Sequence, residues 1–214
     1  MNSIGRITAP IMFYALVEGY HKTKSRKKYF LRLLFFAIIS YFPFIYMRSG
    51  GNLQNLEFNR LNVIFNILLG FTAVHIRRNV KSNFLQVPLL FFLLIISVYT
   101  DWSYSGITIM LIFDYYYGNK NNQLFGYFLW VIFSESILAC IANPFQEWLI
   151  FGEEFNFPID FSYIYRFAHL IPMILLSFYN GEKGSNTTFS KYIFYVFYLA
   201  HLLLIGMIGS ALSN

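Results

Sequence analysis

His201 stands in the middle of the apolar run 191–212, preceded at three-residue spacing by Tyr195 and Tyr198. On a helix that spacing stacks the three side chains along one face, and an imidazole is the group best suited to exchange protons near neutral pH. A histidine at such depth is costly unless it does chemistry or hydrogen-bonds to a neighbouring helix. Asp101 raises the same question. It sits in the short turn Thr100-Asp101-Trp102-Ser103-Tyr104-Ser105-Gly106 between two apolar runs, where an acid costs free energy unless it is paired or wet. His201 and Asp101 are therefore the candidate catalytic residues.

The cations form a second group. His21, Lys22, Lys24, Arg26, Lys27 and Lys28 crowd one tight hairpin, and Arg32 follows about one turn into the next apolar run. Together they would line a cytoplasmic entrance for a polyanion, or grip anionic lipid head groups. Snorkelling of Arg32 back to the interface is the alternative. Glu18 lies one turn from His21 and Lys22, which makes either a convergent acid, imidazole and ammonium or an anchoring salt bridge. Tyr163, Arg166 and His169 make a further stripe at three-residue spacing. It would hold a polar or anionic substrate if it faces a wet cavity, and is a structural ion pair if it faces Glu135 or Asp101. His75, beside Arg77 and Arg78, reads as an interface residue. No metal-ligand spacing, phosphate-cradling glycine loop or nucleophile elbow is present. The single Cys140 rules out an intramolecular disulfide.

The elements that must carry these groups follow from composition. Of 214 residues, 57% are apolar and only 12% charged, the mark of a polytopic membrane protein. Crossing the hydrocarbon core takes roughly 20 apolar residues per helix. Eight stretches approach that length: 4–20, 29–47, 61–76, 84–99, 103–117, 124–143, 163–179 and 191–212. The ten-residue alternation of a membrane β-barrel is absent, so the expectation is an all-α, single-domain bundle over residues 1–214.

The net charge of +6 is distributed by loop. If loops alternate sides, Lys22, Lys24, Arg26, Lys27, Lys28, Arg77, Arg78, Lys81, Lys120, Lys183 and Lys191 share one side, while loop 144–162 carries acids and no Lys or Arg. The positive-inside rule then puts the hairpin 21–28 in the cytoplasm. A basic chain with this pattern has the lipid bilayer as its partner, and nucleic acid is not expected. With no internal repeat, an inverted-repeat transporter ranks low.

The block GRITAPIMFYALVEGYHKTKSRKKYFLRLLFFAIISYFPF resembles the TraX family of bacterial inner-membrane proteins. The similarity continues, in the family's order, through LNVIFNILLG, DWSYSGITIMLIF, LLSFYNGEKG and KYIFYVFYLAHLLLIG, leaving out roughly 124–160. The resemblance implies a multi-pass protein of the bacterial cytoplasmic membrane that draws on acetyl-CoA, the family's founding member being linked to acetylation of a pilin N-terminus. It implies a transfer to an extracytoplasmic protein or glycan acceptor. His21, Lys22, Arg26, Lys27, Lys28 and Arg32 would contact the donor's phosphates, while Arg6, Asp101, Arg166 and His169 would lie toward the acceptor. One departure stands out, for the family's Asp-His-Ile-Gly-type motif has no counterpart here. Three explanations stand: a start misplaced downstream, a degenerate member, or another histidine such as His201 serving as base. A non-catalytic assembly factor for a conjugation or surface apparatus is the alternative.

Overall fold

A computed structural model describes residues 2–134, 168–181 and 188–213. The described elements are α1 (Asn2–Lys22), α2 (Arg26–Ile39), α3 (Tyr41–Arg48), α4 (Val63–Asn79), α5 (Asn83–Ser97), α6 (Ser103–Tyr115), α7 (Lys120–Ile132), α8 (Ile171–Ser177) and α9 (Thr188–Ser213). A short 3-10 turn covers Leu53–Asn55. Among the described residues the fold is all-helical, with one isolated bridge between Leu61 and Thr100. The single span expected over 29–47 is two helices. Pro43 has no N–H to offer the Ile39 carbonyl, and the buried Ser40 hydroxyl donates back to the Phe36 carbonyl at 2.5 Å, so the ladder breaks there. The two pieces nevertheless make one run, Arg26–Arg48, long and apolar enough to cross a membrane. Shorter apolar helices cover Asn83–Ser97, Ala168–Ser177 and Tyr195–Ala211. The second half of the expected span 124–143, with Glu135, and the acidic loop 144–162 lie outside the described residues.

The chain divides into two compact units. One comprises residues 1–17 and 109–179. There the ring of Tyr14 meets Phe113 and Tyr179 edge-on at 5.3 and 5.9 Å. Buried Gln123 on α7 donates to the Phe113 carbonyl at 2.7 Å, so α6 and α7 share a polar tie as well as an apolar contact. Lys120 caps α8: its ammonium reaches the carbonyls of Ser177 (2.7 Å) and Tyr179 (2.5 Å), where the helix C-terminus concentrates negative charge.

The other unit comprises residues 18–108 and 180–214. Here α4 packs between α2 and α5, and α9 packs along α3. The start of α4 is fully provided for. Asn62 Oδ1 accepts from the N–H groups of Ile64 and Phe65, the Tyr198 hydroxyl accepts from Val63, and the Asn62 amide donates to the Ala37 carbonyl at 2.9 Å. Asn62 is completely buried, so one side chain both caps α4 and fastens it to α2.

Helix α9 runs parallel to α2 and α3: Tyr195 lies against Phe36, Gly206 against Tyr46 and Gly209 against Gly50. The two segments approach backbone to backbone at Gly51 and Gly209, where a Cβ would run into the Gly206 carbonyl and the Gly50 carbonyl respectively. At the other end Lys22 donates to the Gly181 carbonyl at 2.8 Å, so the basic hairpin and the turn before α9 share one end of this unit.

Candidate functional site

The second unit places most of the sequence-predicted residues along one line. At the hairpin end, Lys22 pairs with Glu18 one turn back, the anchoring form of that cluster. His21 lies edge-on to Tyr20 at 5.3 Å, and Arg26 lies over the Tyr20 ring at 4.6 Å. Lys27 and Lys28 are exposed on the first turn of α2, which Ser25 caps through the Lys28 N–H. Nothing in the local geometry draws these two ammoniums inward, so they are available to an anion arriving from solution.

Arg32 sits six residues beyond Arg26, about 9 Å further along the helix axis. Its guanidinium lies 5.0 Å from the Tyr29 ring and 5.9 Å from the Tyr195 ring, and it hydrogen-bonds to the Tyr195 side chain. Tyr195 is in turn stacked on Phe36 at 4.4 Å with the rings nearly parallel. One turn along α9 is Tyr198, which takes the Val63 N–H and lies within electrostatic reach of Asp101. One turn further is His201, its ring 5.3 Å from Tyr198 and stacked on Phe197 at 5.6 Å. His201 Nδ1 is 3.2 Å from the Phe197 carbonyl. A carbonyl only accepts, so in the neutral ring Nδ1 carries the proton and Nε2 the lone pair, the tautomer a general base needs.

Asp101 is fixed by its backbone. Its N–H donates to the Leu61 carbonyl at 2.9 Å, and Leu61 N–H donates to Tyr99 at 2.8 Å. The turn it belongs to is strained: Ser103 adopts φ +46, uncommon for a residue with a Cβ. Buried Asn66 holds that conformation by donating to the Ser103 carbonyl (2.8 Å) and Thr100 Oγ1 (2.5 Å). Desolvation raises the Asp101 carboxyl above the ordinary aspartate range, and the charges of Arg48 and Arg60 oppose it. The side chain keeps solvent access, so the net effect is modest. Because the folded pKa lies above the unfolded one, this group favours the folded state most at acid pH. That contribution is lost as pH rises through the folded pKa. Asp101→Asn is therefore expected to remove a small loss of stability on raising the pH, read as a flatter melting temperature between pH 4 and pH 7 than the wild type shows.

The remaining candidates fall elsewhere. Arg6 lies on α1 and His169 in the turn before α8, both in the first unit, where the His169 carbonyl accepts the Tyr127 hydroxyl at 2.5 Å. Arg166 lies outside the described residues. His75, read as an interface residue, is exposed and its Nδ1 is 3.1 Å from both the hydroxyl of buried Tyr20 and the Asn79 amide. Its four-residue spacing from Asn79 was the available signal. Asn66 and Ser103 carried none, because their roles arise between segments far apart in sequence, whereas Tyr29 lies three residues from Arg32 on the same helix.

Comparison with known proteins follows this geometry. A family model described as TraX protein matches residues 1–209. The chain is 29% identical over 189 residues to a probable fimbrial assembly protein, FimC of serogroup H1, from Dichelobacter nodosus, covering 86% of this chain and 73% of that protein. No solved structure matches. With that family model matching residues 1–209, nearly the whole chain, the chain belongs to the TraX protein family.

Proposed function

We propose that the chain is a multi-pass helical protein of the bacterial cytoplasmic membrane, with about eight spans, that transfers an acetyl group from cytoplasmic acetyl-CoA to an extracytoplasmic acceptor. The observation that carries this reading is the continuous polar face running from the basic hairpin through Arg32 and Tyr195 to Tyr198, Asp101 and His201, within helices otherwise apolar. Membrane residence is supported by apolar surface that water would not tolerate: on α5, Phe84 is 86% and Phe91 62% exposed, and only Leu93 and Ser97 are buried.

The donor's phosphates suit His21 together with the hairpin cations Lys22, Arg26, Lys27 and Lys28 and the deeper Arg32, while its long acyl-bearing arm would follow the polar face inward. Nε2 of His201 would accept the proton from the acceptor's amine or hydroxyl as that group attacks the thioester carbonyl. The new C–N or C–O bond forms, the C–S bond breaks, and the proton passes to the departing thiolate. Asp101, with Arg6, Arg166 and His169, would serve the acceptor side.

The test is release of coenzyme A thiol from acetyl-CoA by the reconstituted protein, with a peptide amine or a surface-polysaccharide hydroxyl offered in turn. Arg32→Ala is expected to raise KM for acetyl-CoA roughly 10- to 100-fold, as loss of a charge-assisted hydrogen bond would. The Dichelobacter nodosus relative is named a probable fimbrial assembly protein, which supports a second reading in which this chain acts as an assembly factor without transferring acyl groups. Stoichiometric copurification with a surface-fibre subunit, with no thiol release, would establish that reading instead.

A further inference from the structure

The end of the second unit opposite the basic hairpin gathers three charged side chains, two of them, Arg48 and Arg60, outside the transfer chemistry. The apolar run Arg26–Arg48 starts at the hairpin, so Arg48 marks its far end. Arg60 is brought there by the bridge between Leu61 and Thr100, in which the Asp101 N–H donates to the Leu61 carbonyl at 2.9 Å. Arg48 closes α3, yet its guanidinium turns back to 5.7 Å from the Phe44 ring. Phe44 in turn belongs, with Leu202, to the cluster against which Tyr198 of α9 packs. Arg48, Arg60 and Asp101 are all exposed, and the charges of both guanidiniums reach the Asp101 carboxylate. Among the described residues neither guanidinium closes an ion pair or a hydrogen bond, so their N–H donors remain available.

We propose that Arg48, Arg60 and Asp101 form the acceptor-binding end of the protein and that the acceptor is an acidic glycan, its carboxylate held by the two guanidiniums and a neighbouring hydroxyl by Asp101. The charge balance disfavours an amine acceptor, because two cations against one carboxylate repel a free α-ammonium. Glu57, three residues before Arg60, turns its carboxylate to the Asn59 amide at 3.0 Å. A guanidinium matches a carboxylate through two parallel N–H bonds. Asp101 narrows the class further. An ionised carboxylate only accepts, so it suits a ligand that sets hydroxyl donors beside its own acid group, as a uronic acid does and an acidic peptide side chain does not. Phe58, two residues from Arg60 and 64% exposed, offers a ring on which the apolar face of a sugar can lie. The role as acceptor end rests on the acetyl-transfer reading: the sugar oxygen bonds to the acetyl carbon as the C–S bond breaks, and its proton ends on the thiol. The binding itself does not depend on that reading.

The experiment titrates the full chain, in neutral phosphatidylcholine nanodiscs without acetyl-CoA, with tetragalacturonate, its full methyl ester and tetraglutamate. Saturable binding of tetragalacturonate is expected, about tenfold weaker for the ester and in Arg48→Gln and Arg60→Gln, and about threefold weaker in Asp101→Asn. Lys24→Gln, on the hairpin at the other end, should leave it unchanged. Arg48→Lys keeps the charge and the stem over Phe44, so an intermediate loss there decides the matter if Arg48→Gln does not fold. Equal binding of acid and ester, arginine variants that bind as the wild type does, or a loss in Lys24→Gln as large as theirs overturns the site. Tetraglutamate bound as tightly as tetragalacturonate overturns the glycan as occupant in favour of an acidic peptide. Thiol release from acetyl-CoA is then followed with tetragalacturonate and with a neutral oligosaccharide. Binding that needs the arginines but brings no thiol release keeps the site and removes the transfer reading. Release with the neutral sugar, without binding of the acid, does the reverse.

Discussion

Replacing His201 by alanine is expected to lower acetyl transfer by a factor of about 10²–10⁴, the range that loss of a positioned general base costs. Donor binding and the melting temperature should hardly move. The expectation follows from how little the imidazole is needed by the fold. Its one hydrogen bond among the described residues is to the carbonyl of its own helix, four residues back, and its ring lies on Phe197, itself 64% exposed. A structural histidine would be tied to a second helix instead. The measurement is single-turnover thiol release from acetyl-CoA, with the melting temperature followed in parallel. A variant that folds, binds coenzyme A and still transfers at the wild-type rate would remove His201 from the chemistry and return the base to a residue outside the polar face. A histidine-to-glutamine control is informative here, since it keeps a polar side chain of similar reach but cannot take up a proton near neutral pH.

The second large effect concerns stability. Gly51→Ala is expected to destabilise the protein by about 2–5 kcal/mol, summing a strained left-handed backbone and overpacking. Gly51 has φ +81, and a Cβ there would run into the Gly206 carbonyl and the Ser210 backbone on α9, neither of which yields as a flexible side chain does. Gly206→Ala meets the Tyr46 ring at 2.5 Å and should cost less, because a ring can turn aside. Gly50→Ala is the internal control: φ is +65 but nothing lies within 4 Å, so only the backbone term of about 1 kcal/mol remains. Denaturant or thermal unfolding in detergent ranks the three. Equal losses for Gly50→Ala and Gly51→Ala would mean that α9 does not approach the turn closely. Because α9 carries Tyr195, Tyr198 and His201, Gly51→Ala should also reduce transfer beyond what lost folded protein explains.

Much of this was legible in the chain itself. Each described α-helix falls on one of the apolar runs, although the run 29–47 holds two helices, because apolar side chains at helical spacing are written in local composition. The three-residue spacing of Tyr195, Tyr198 and His201 fixed their common face, a property of helix geometry alone. The basic hairpin announced a shared end, and the Lys22 bond to the Gly181 carbonyl joins that end to the turn before α9. Tertiary structure decided what those faces meet. That Arg32 meets Tyr195, that Tyr198 closes the start of α4, and that Asn66 holds Ser103 in a strained turn are all contacts between segments remote in sequence. Periodicity assigns a side chain to a face, but only the packing of parallel α3 and α9, set by glycines that let two backbones touch, determines which other charge or hydroxyl waits there.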